Sequence, residues 1–403
     1  MTTREHLFPT YNPPKLNFSH GQGVWLTDDK GDRYLDFISG ISVNTLGHAH
    51  PALVSALTEQ AQKVWHLSNM FDVPGQRELA DRHCDLCFGD RIFFGNSGSE
   101  AVELALKAAR RYHYKNGAPE RINIIGFSGS FHGRTYAAVN ASGNEKYLEG
   151  FGPKLPGYIQ VEFGDHDALM AVIDDKTAAL IIEPVQGEGG LRPISGDYLQ
   201  KLRAMCDEQG ILLIFDEVQC GAGRTGKLWA HQWFDNAAPD IMACAKGVGG
   251  GFPMAFCIAT AAVADTMVPG THGSTYGGNA LAMAVGHAVL DFLEDDKFMQ
   301  NVVEVSAEFE AGLEAMAQQK YPDMITQVRG KGLLIGFQMQ EHITAVSVKN
   351  KARDFGLLIG NAGDNVVRMA PALNVTHEEV KIALGKLDDV LAALRKDIAK
   401  AEL

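Results

Sequence analysis

Two residues in this chain have the types and setting to do covalent chemistry together. Asp216 closes the apolar run Ile211-Leu212-Leu213-Ile214-Phe215, and Lys246 stands in Ala245-Lys246-Gly247-Val248-Gly249-Gly250-Gly251. A carboxylate at the end of a buried strand stays ionised only where a cation or strong donor meets it. A lysine hemmed by small residues and glycines lies where a ligand can approach the backbone closely. A protonated pyridine nitrogen against the Asp and a Schiff base on the Lys satisfy both demands, and pyridoxal phosphate offers both groups. Taken singly, a strand-end Asp that caps a turn and a surface Lys in a loop are the commoner arrangements, so the rest of the chain has to decide.

Four further segments carry polar groups at the ends of apolar runs. Gly95-Asn96-Ser97-Gly98-Ser99-Glu100 precedes a helical pattern over 101–114, and Ser97 and Glu100 have capping-box spacing. That spacing alone means only a helix start, but a helix start also presents free N–H groups and a positive dipole end suited to a phosphate. Phe131-His132-Gly133-Arg134-Thr135 pairs an aromatic able to stack on a planar ring with an arginine able to grip a carboxylate through two bonds. Seen alone, a packed Phe beside a surface Arg is the commoner case. Glu183-Pro184-Val185-Gln186-Gly187-Glu188 sets two carboxylates at another strand end. Val367-Arg368-Met369 puts an arginine inside an apolar run, where it requires an anionic partner.

Other motifs are decoys. Gly221-Ala222-Gly223-Arg224-Thr225-Gly226-Lys227-Leu228 matches both G-x-G-x-x-G and G-x-x-x-x-G-K. The P-loop reading fails at Leu228, where Ser or Thr should hold magnesium, and the dinucleotide reading fails because Asp216 to Cys220 separate strand from glycines. A flexible active-site loop is expected there instead. Cys84 and Cys87 form one C-x-x-C without a second ligand pair and read as a helix over 77–88. His48 and His50, before Pro51, read as a helix entrance, so no metal is expected.

The elements that must position these residues follow from the apolar pattern. Runs at 91–94, 122–126, 178–182, 211–215 and 256–259, alternating with helical stretches, imply an α/β protein with a mostly parallel sheet covered on both faces. Ligands of such sheets bind beyond the carboxyl ends of the strands, which is where Asp216 falls. A hairpin signal occupies 23–37 and a helix 51–63; later helices are expected from 279 past 293 and over 302–318. Strands at 332–338 and 366–369 and a final helix over 378–394 complete a smaller α+β unit. The expected division is 1–50, packing with the small domain; 51–295, the large domain; and 296–403, the small domain.

The chain has 403 residues, a net charge of −13 and 46% hydrophobic residues. That length allows a large core, and the charge argues against nucleic acid or an anionic membrane as partner. No apolar stretch approaches the ~18 residues of a membrane span. Met1-Thr2-Thr3-Arg4-Glu5-His6 lacks the apolar segment of a signal peptide, so the cytoplasm is the expected compartment.

The motifs at 96–101, 131–134 and 183–188, with Phe215-Asp216-Glu217-Val218-Gln219, Lys246-Gly247, Gly273-Ser274-Thr275-Tyr276-Gly277-Gly278-Asn279 and Arg368, occur in an order that resembles the class III aminotransferases over essentially the whole chain. The resemblance implies the fold type I architecture of pyridoxal-phosphate enzymes, a homodimer with shared active sites, and amino transfer from a small-molecule donor to 2-oxoglutarate. It implies that Lys246 holds the cofactor and moves a proton, and that Asp216 keeps the ring nitrogen protonated. Gln219 would bond the ring hydroxyl, Val218 and Phe131 would cover the two ring faces, and Ser97 and Gly98 would bind the phosphate. Thr275 would reach the phosphate of the neighbouring subunit, with Ser274 beside it among the substrate-binding residues. Arg134 and Arg368 would bind substrate carboxylates, with Glu188 masking Arg368 when an ω-amine is bound. Gly40-Ile41-Ser42-Val43-Asn44-Thr45-Leu46-Gly47-His48 is most like the members that act on acetylornithine. Members that use free ornithine carry Tyr at the position of Ile41, and an apolar residue there suits an N-acyl group. Acetylornithine is therefore the expected donor; succinylornithine, succinyl-diaminopimelate and 4-aminobutyrate stay open, as does, from another class, a non-catalytic cofactor-binding regulator.

Overall fold

The computed structural model describes residues 6–401. Residues 1–5, on which the signal-peptide expectation rests, lie outside the described part. A seven-stranded sheet runs in the order Arg91–Gly95, Ala255–Ala259, Ile241–Cys244, Leu212–Asp216, Thr177–Ile182, Asn123–Phe127, Tyr158–Val161. Ala255–Ala259 is antiparallel to both its neighbours, and the other pairings are parallel. The strands Thr177–Ile182, Leu212–Asp216, Ile241–Cys244 and Ala255–Ala259 are buried at every position. A strand covered on both faces cannot alternate with polar residues, so it reads as an unbroken apolar run.

The two faces feed separate cores, as the two-residue period of a strand dictates. Leu212 and Ile214 pack with Val102, Ala105 and Ala109 of the helix Gly98–Lys115. Leu213 and Phe215 point the other way, into the core that includes Leu199 and Leu202 of the helix Gly196–Gln209. Two strands exceed the sequence expectation. Tyr158–Val161 is a half-buried edge strand after a glycine-rich approach, and Ile241–Cys244 has four residues, only one of them β-branched.

The N-terminal strands Phe18–Gln22, Trp25–Asp28 and Arg33–Asp36 pair antiparallel in succession, and Leu357–Leu358 joins them in parallel beside Arg33–Asp36. A second four-stranded antiparallel sheet has the order Ile325–Lys331, Leu334–Met339, Val366–Met369, Gly360–Ala362. The helices Asp296–Ala315, Ala345–Asp354 and His377–Ala401 pack against this C-terminal part. Ile325–Lys331 is a further unexpected strand; mostly half-buried or exposed, it carries no continuous apolar signal. No described helix is long and apolar enough to cross a membrane.

Candidate active site

A cavity of about 350 Å³ opens at the carboxyl end of the strand Leu212–Asp216. Lys246, Asp216, Ser97, Gly98, Phe131, Val218, Gln219 and Glu188 all line it. Segments far apart in sequence converge here because parallel strands deliver their following loops to one edge.

Asp216 is buried and its two oxygens are used separately. Oδ1 accepts the Val218 N–H at 3.0 Å, and Oδ2 lies 2.7 Å from Nδ1 of the buried His132. Burial alone would lower the pKa of His132, but the Asp216 hydrogen bond and the charges of Asp216 and Glu183 raise it. The opposite ring nitrogen of His132 has no partner among the described residues. Glu183 accepts the Phe131 N–H at 3.1 Å and the Gly187 N–H at 3.4 Å. Burial pushes its carboxyl up, to about 7; Asp216 adds to that rise, while His132 opposes it.

Lys246 follows the strand Ile241–Cys244 and has φ +49°, a left-handed conformation unusual for a side-chain-bearing residue. Its loop is held from beneath, where Thr45 Oγ1 donates to the Gly247 carbonyl at 2.6 Å. Burial first, and Arg368 second, lower the ammonium pKa to about 8. A lysine so perturbed in a cleft has a neutral amine accessible near physiological pH.

Ser97 caps the helix Gly98–Lys115 with a complete capping box: Ser97 Oγ accepts the Glu100 N–H at 3.4 Å, and Glu100 Oε2 accepts the Ser97 N–H at 2.9 Å. Gly98 and Ser99, in the first turn, have no intrahelical acceptor for their N–H groups. Gly98 is required by its neighbour, because a Cβ there would stand 2.7 Å from Val218 Cγ1. Arg368 is buried and paired with Glu188, and Nη1 also donates to Gln219 Oε1 at 3.4 Å.

Five expected site residues do not line the cavity wall: Arg368, which reaches it only through Glu188 and Gln219, and Arg134, Ile41, Ser274 and Thr275. Arg134 is exposed and makes no ion pair among the described residues; its guanidinium lies 3.8 Å from the Tyr147 ring centroid and 5.6 Å from that of Phe131. Ile41 stands on the turn that leads to Val43, and Val43 does line the cavity. Ser274 Oγ accepts from Asn96 Nδ2 at 3.4 Å and from the Gly277 N–H at 2.9 Å, while Thr275 faces solvent.

The loop expected to be flexible and to serve the site is packed away from the cavity. Residues 221–226 are buried and absent from the cavity wall, and Arg224 donates to the carbonyls of Leu333 and Pro371. The C-terminal part covers the loop, which explains its small residues: a Cβ on Gly223 would meet Leu373 and Leu293 within 3 Å. Among the described residues no group of three or more His, Cys, Asp or Glu could hold a metal.

The donor set fits a flat, phosphorylated pyridine aldehyde. Apolar faces come from Val218 and Phe131, an anion from Asp216, an amine from Lys246 and free N–H groups from the helix start. Residues 9–391 match the family described as aminotransferase class-III. The chain belongs to the class-III aminotransferases.

Like the family as a whole, it is a pyridoxal-phosphate enzyme with the fold type I architecture. An acetylornithine aminotransferase of Caulobacter vibrioides is 53% identical over 399 residues, covering 99% of this chain and 98% of that one. Among solved structures, N-acetylornithine aminotransferase from Stenotrophomonas maltophilia aligns with a TM-score of 0.84 at 35% identity, covering 96% of this chain and 98% of that one. The ornithine aminotransferase of Toxoplasma gondii, seen with pyridoxal phosphate at partial occupancy, aligns with a TM-score of 0.91 at 32% identity, covering 97% and 93%. For this aminotransferase, motif reading assigned no role to His132 or Glu183. A buried histidine between two strand-end carboxylates becomes visible only when the strands are placed side by side.

Proposed function

We propose that this aminotransferase moves the terminal amino group of N2-acetylornithine to 2-oxoglutarate, giving N-acetylglutamate 5-semialdehyde and glutamate, a step of arginine biosynthesis. The observation that carries the reading is the pair that buried Arg368 makes with half-buried Glu188, at the cavity that Lys246 lines. One cavity has to accept a terminal amine and, alternately, a dicarboxylate. An arginine that can be covered by its own carboxylate serves both, because it is never left as an unpaired buried charge. The curated relatives at 52–53% identity, all acetylornithine aminotransferases, support the donor assignment.

When bound, pyridoxal phosphate supplies an electron sink for the carbon that loses its proton. The chain's own residues do the rest. Asp216, oriented by His132 and the Val218 N–H, holds a positive charge at the ring-nitrogen end of the cavity. Lys246 removes and returns the proton at the amine-bearing carbon, and its lowered pKa keeps the free amine available. Ser97, Gly98 and the helix start take the phosphate, Gln219 the ring hydroxyl, and Phe131 and Val218 the ring faces. Arg134 takes the α-carboxylate of the acylornithine or the distal carboxylate of glutamate, and Arg368 takes glutamate's α-carboxylate once Glu188 turns away. Ile41 and Ser274 complete the substrate side.

The working unit is a homodimer in the cytoplasm, with Thr275 serving the phosphate in the neighbouring subunit. Trp65, Met70, Phe71 and Tyr276 are each more than 60% exposed, and Asn69 Nδ2 bonds the Ser274 carbonyl at 3.0 Å, which sets exposed apolar residues on the two segments that meet next to Thr275. Monomers seldom leave extended apolar patches bare. The chain divides into 1–50 with the small domain, 51–295 as the large domain and 296–403 as the small domain; the pairing of Leu357–Leu358 with Arg33–Asp36 supports the first assignment.

The test is kcat/KM for acetylornithine, succinylornithine, succinyl-diaminopimelate and 4-aminobutyrate with 2-oxoglutarate. Acetylornithine should lead. A large preference for 4-aminobutyrate overturns the donor assignment, and a colourless protein that takes up no cofactor overturns catalysis.

A further inference from the structure

The segment between the N-terminal sheet and the cavity has an unusual backbone. Ser39, Gly40, Ile41 and Ser42 have φ of +48°, +63°, +66° and +63°. The Ser42 N–H donates to the Ile38 carbonyl at 3.0 Å and the Val43 N–H to the Ser39 carbonyl at 2.8 Å. These are the bonds of one turn of left-handed α-helix, which costs an L-residue roughly 1–2 kcal/mol at each position. Only one of the four residues is glycine, and Ile41 is β-branched, the side-chain class least tolerant of positive φ. Such a turn persists only where its surroundings over-determine it.

Asp36 supplies that determination. It is buried, and Oδ1 accepts the N–H groups of Ile38 and Ser39, both at 3.0 Å, while Oδ2 lies 2.8 Å from His48 Nε2. His48 is fixed in turn by the hairpin: its N–H donates to the Gly23 carbonyl at 2.8 Å, and its carbonyl accepts from the Gly23 N–H at 3.1 Å. The fit is close, since a Cβ on Gly21 would stand 2.6 Å from His48 Cβ, and one on Gly47 would stand 2.6 Å from the Gly23 carbonyl oxygen. On its far side the turn meets the site. Val43 lines the cavity, Thr45 bonds the Gly247 carbonyl next to Lys246, and the Phe37 carbonyl accepts the Ala370 N–H at 2.7 Å, two residues past Arg368. Ile41 is left 46% exposed at the crest of the turn.

We propose that Asp36 and His48 are a positioning pair for substrate selection: they hold a left-handed turn that presents Ile41 and Val43 to the acyl end of the amino donor. The pair touches neither the cofactor-binding residues nor Lys246. Its effect therefore falls on the bulky donor and not on the internal chemistry. The inference rests on the acylornithine reading above.

The experiment uses cofactor-loaded wild type, Asp36→Asn, His48→Gln and the double variant Asp36→Asn/Ser42→Gly, with acetylornithine and glutamate as alternative donors. Asp36→Asn weakens the acceptor that holds two N–H groups. The loss of an apolar wall in a specificity pocket is worth roughly 10- to 200-fold. The expected result is a fall of about tenfold or more in kcat/KM for acetylornithine, carried by KM, with glutamate altered by less than about threefold and the visible absorption of the bound cofactor unchanged. Ser42→Gly relieves a positive-φ position, where Ser42 Oγ is buried without a partner, and leaves the Ile41 side chain in place. It should restore most of the lost selectivity. His48→Gln, which spares both Oδ1 bonds, should shift selectivity in the same direction by less, and it stands in if Asp36→Asn does not fold. Unchanged selectivity, equal loss for both donors, or a loss that Ser42→Gly does not repair overturns the proposal. A wild type inactive with acetylornithine overturns the donor assignment instead.

Discussion

Gly98→Ala adds one methyl group at the point where the helix start meets the loop after Asp216. Its carbon would stand 2.7 Å from Val218 Cγ1, 3.2 Å from Cγ2 and 3.6 Å from Ala245 Cβ. Comfortable carbon–carbon separations are about 3.5–4.0 Å, so one wall must yield by roughly 1 Å. Val218 cannot swing aside freely: it is β-branched, and its N–H is held by Asp216 Oδ1 at 3.0 Å. Overpacking of this kind costs about 1–3 kcal/mol. If the gap between Val218 and the helix start absorbs that strain, the cofactor dissociation constant rises by roughly 5- to 150-fold, at about 1.4 kcal/mol per tenfold. Titration of the apoenzyme with pyridoxal phosphate, followed by visible absorbance, measures the constant, and thermal unfolding of the same apoenzyme measures what the scaffold absorbs. Gly98→Ala/Val218→Ala removes the clashing methyls and should bind better than the sum of its parts predicts. Wild-type affinity and Tm in Gly98→Ala, or additivity in the double variant, would refute the reasoning.

Three further outcomes follow from the site. Glu188→Gln leaves Arg368 without its anion until a dicarboxylate arrives, so single-turnover kinetics should show the acetylornithine half-reaction slowed at least about tenfold and the glutamate half altered by less than about threefold; equal losses refute the masking role. Lys246 has its pKa lowered to about 8, so the rate of cofactor uptake by the apoenzyme should rise with pH through a midpoint near 8 and not near 10.5. Glu183 sits at about 7 against an ordinary 4.5, so the folded protein keeps a proton that the unfolded chain has lost between those values. Its stabilising contribution is complete below 4.5 and gone above 7; the Tm advantage of wild type over Glu183→Gln should therefore shrink as pH rises from about 5 to about 7.5.

What the sequence showed plainly was whatever one strand or one helix start determines. Thr177–Ile182 and Leu212–Asp216 are legible because burial on both faces forbids alternation, and Ser97 because a capping box is a local contact. Ile241–Cys244 was not legible, since one β-branched residue followed by Met-Ala-Cys is a weak strand signal that becomes a strand through two neighbours. The loop at 221–228 misled for the same reason: its glycines suggest freedom, and only distant side chains packed on it, Leu293, Val303 and Leu373 among them, make them a packing requirement. The left-handed turn at Ser39–Ser42 has no sequence signature, because its acceptor, Asp36, is held by a histidine twelve residues further on.

Arg224 also ties the loop after Asp216 to the segment after Arg368. It is a buried cation with no carboxylate in reach among the described residues, solvated by the carbonyls of Leu333 and Pro371, and burial draws its pKa down to about 9. Five residues before its loop begins stands Asp216, and three residues before Pro371 stands Arg368. Besides the Arg368–Gln219 bond, the cofactor end and the carboxylate end of the site are thus tied by a guanidinium held by neutral dipoles. Carbonyls solvate a cation about as water does, so a slight parting that admits water costs little, whereas a paired carboxylate would have to be torn from its partner. The contact between the loop after Asp216 and the segment after Arg368 is therefore one that water can share without an ion pair being broken.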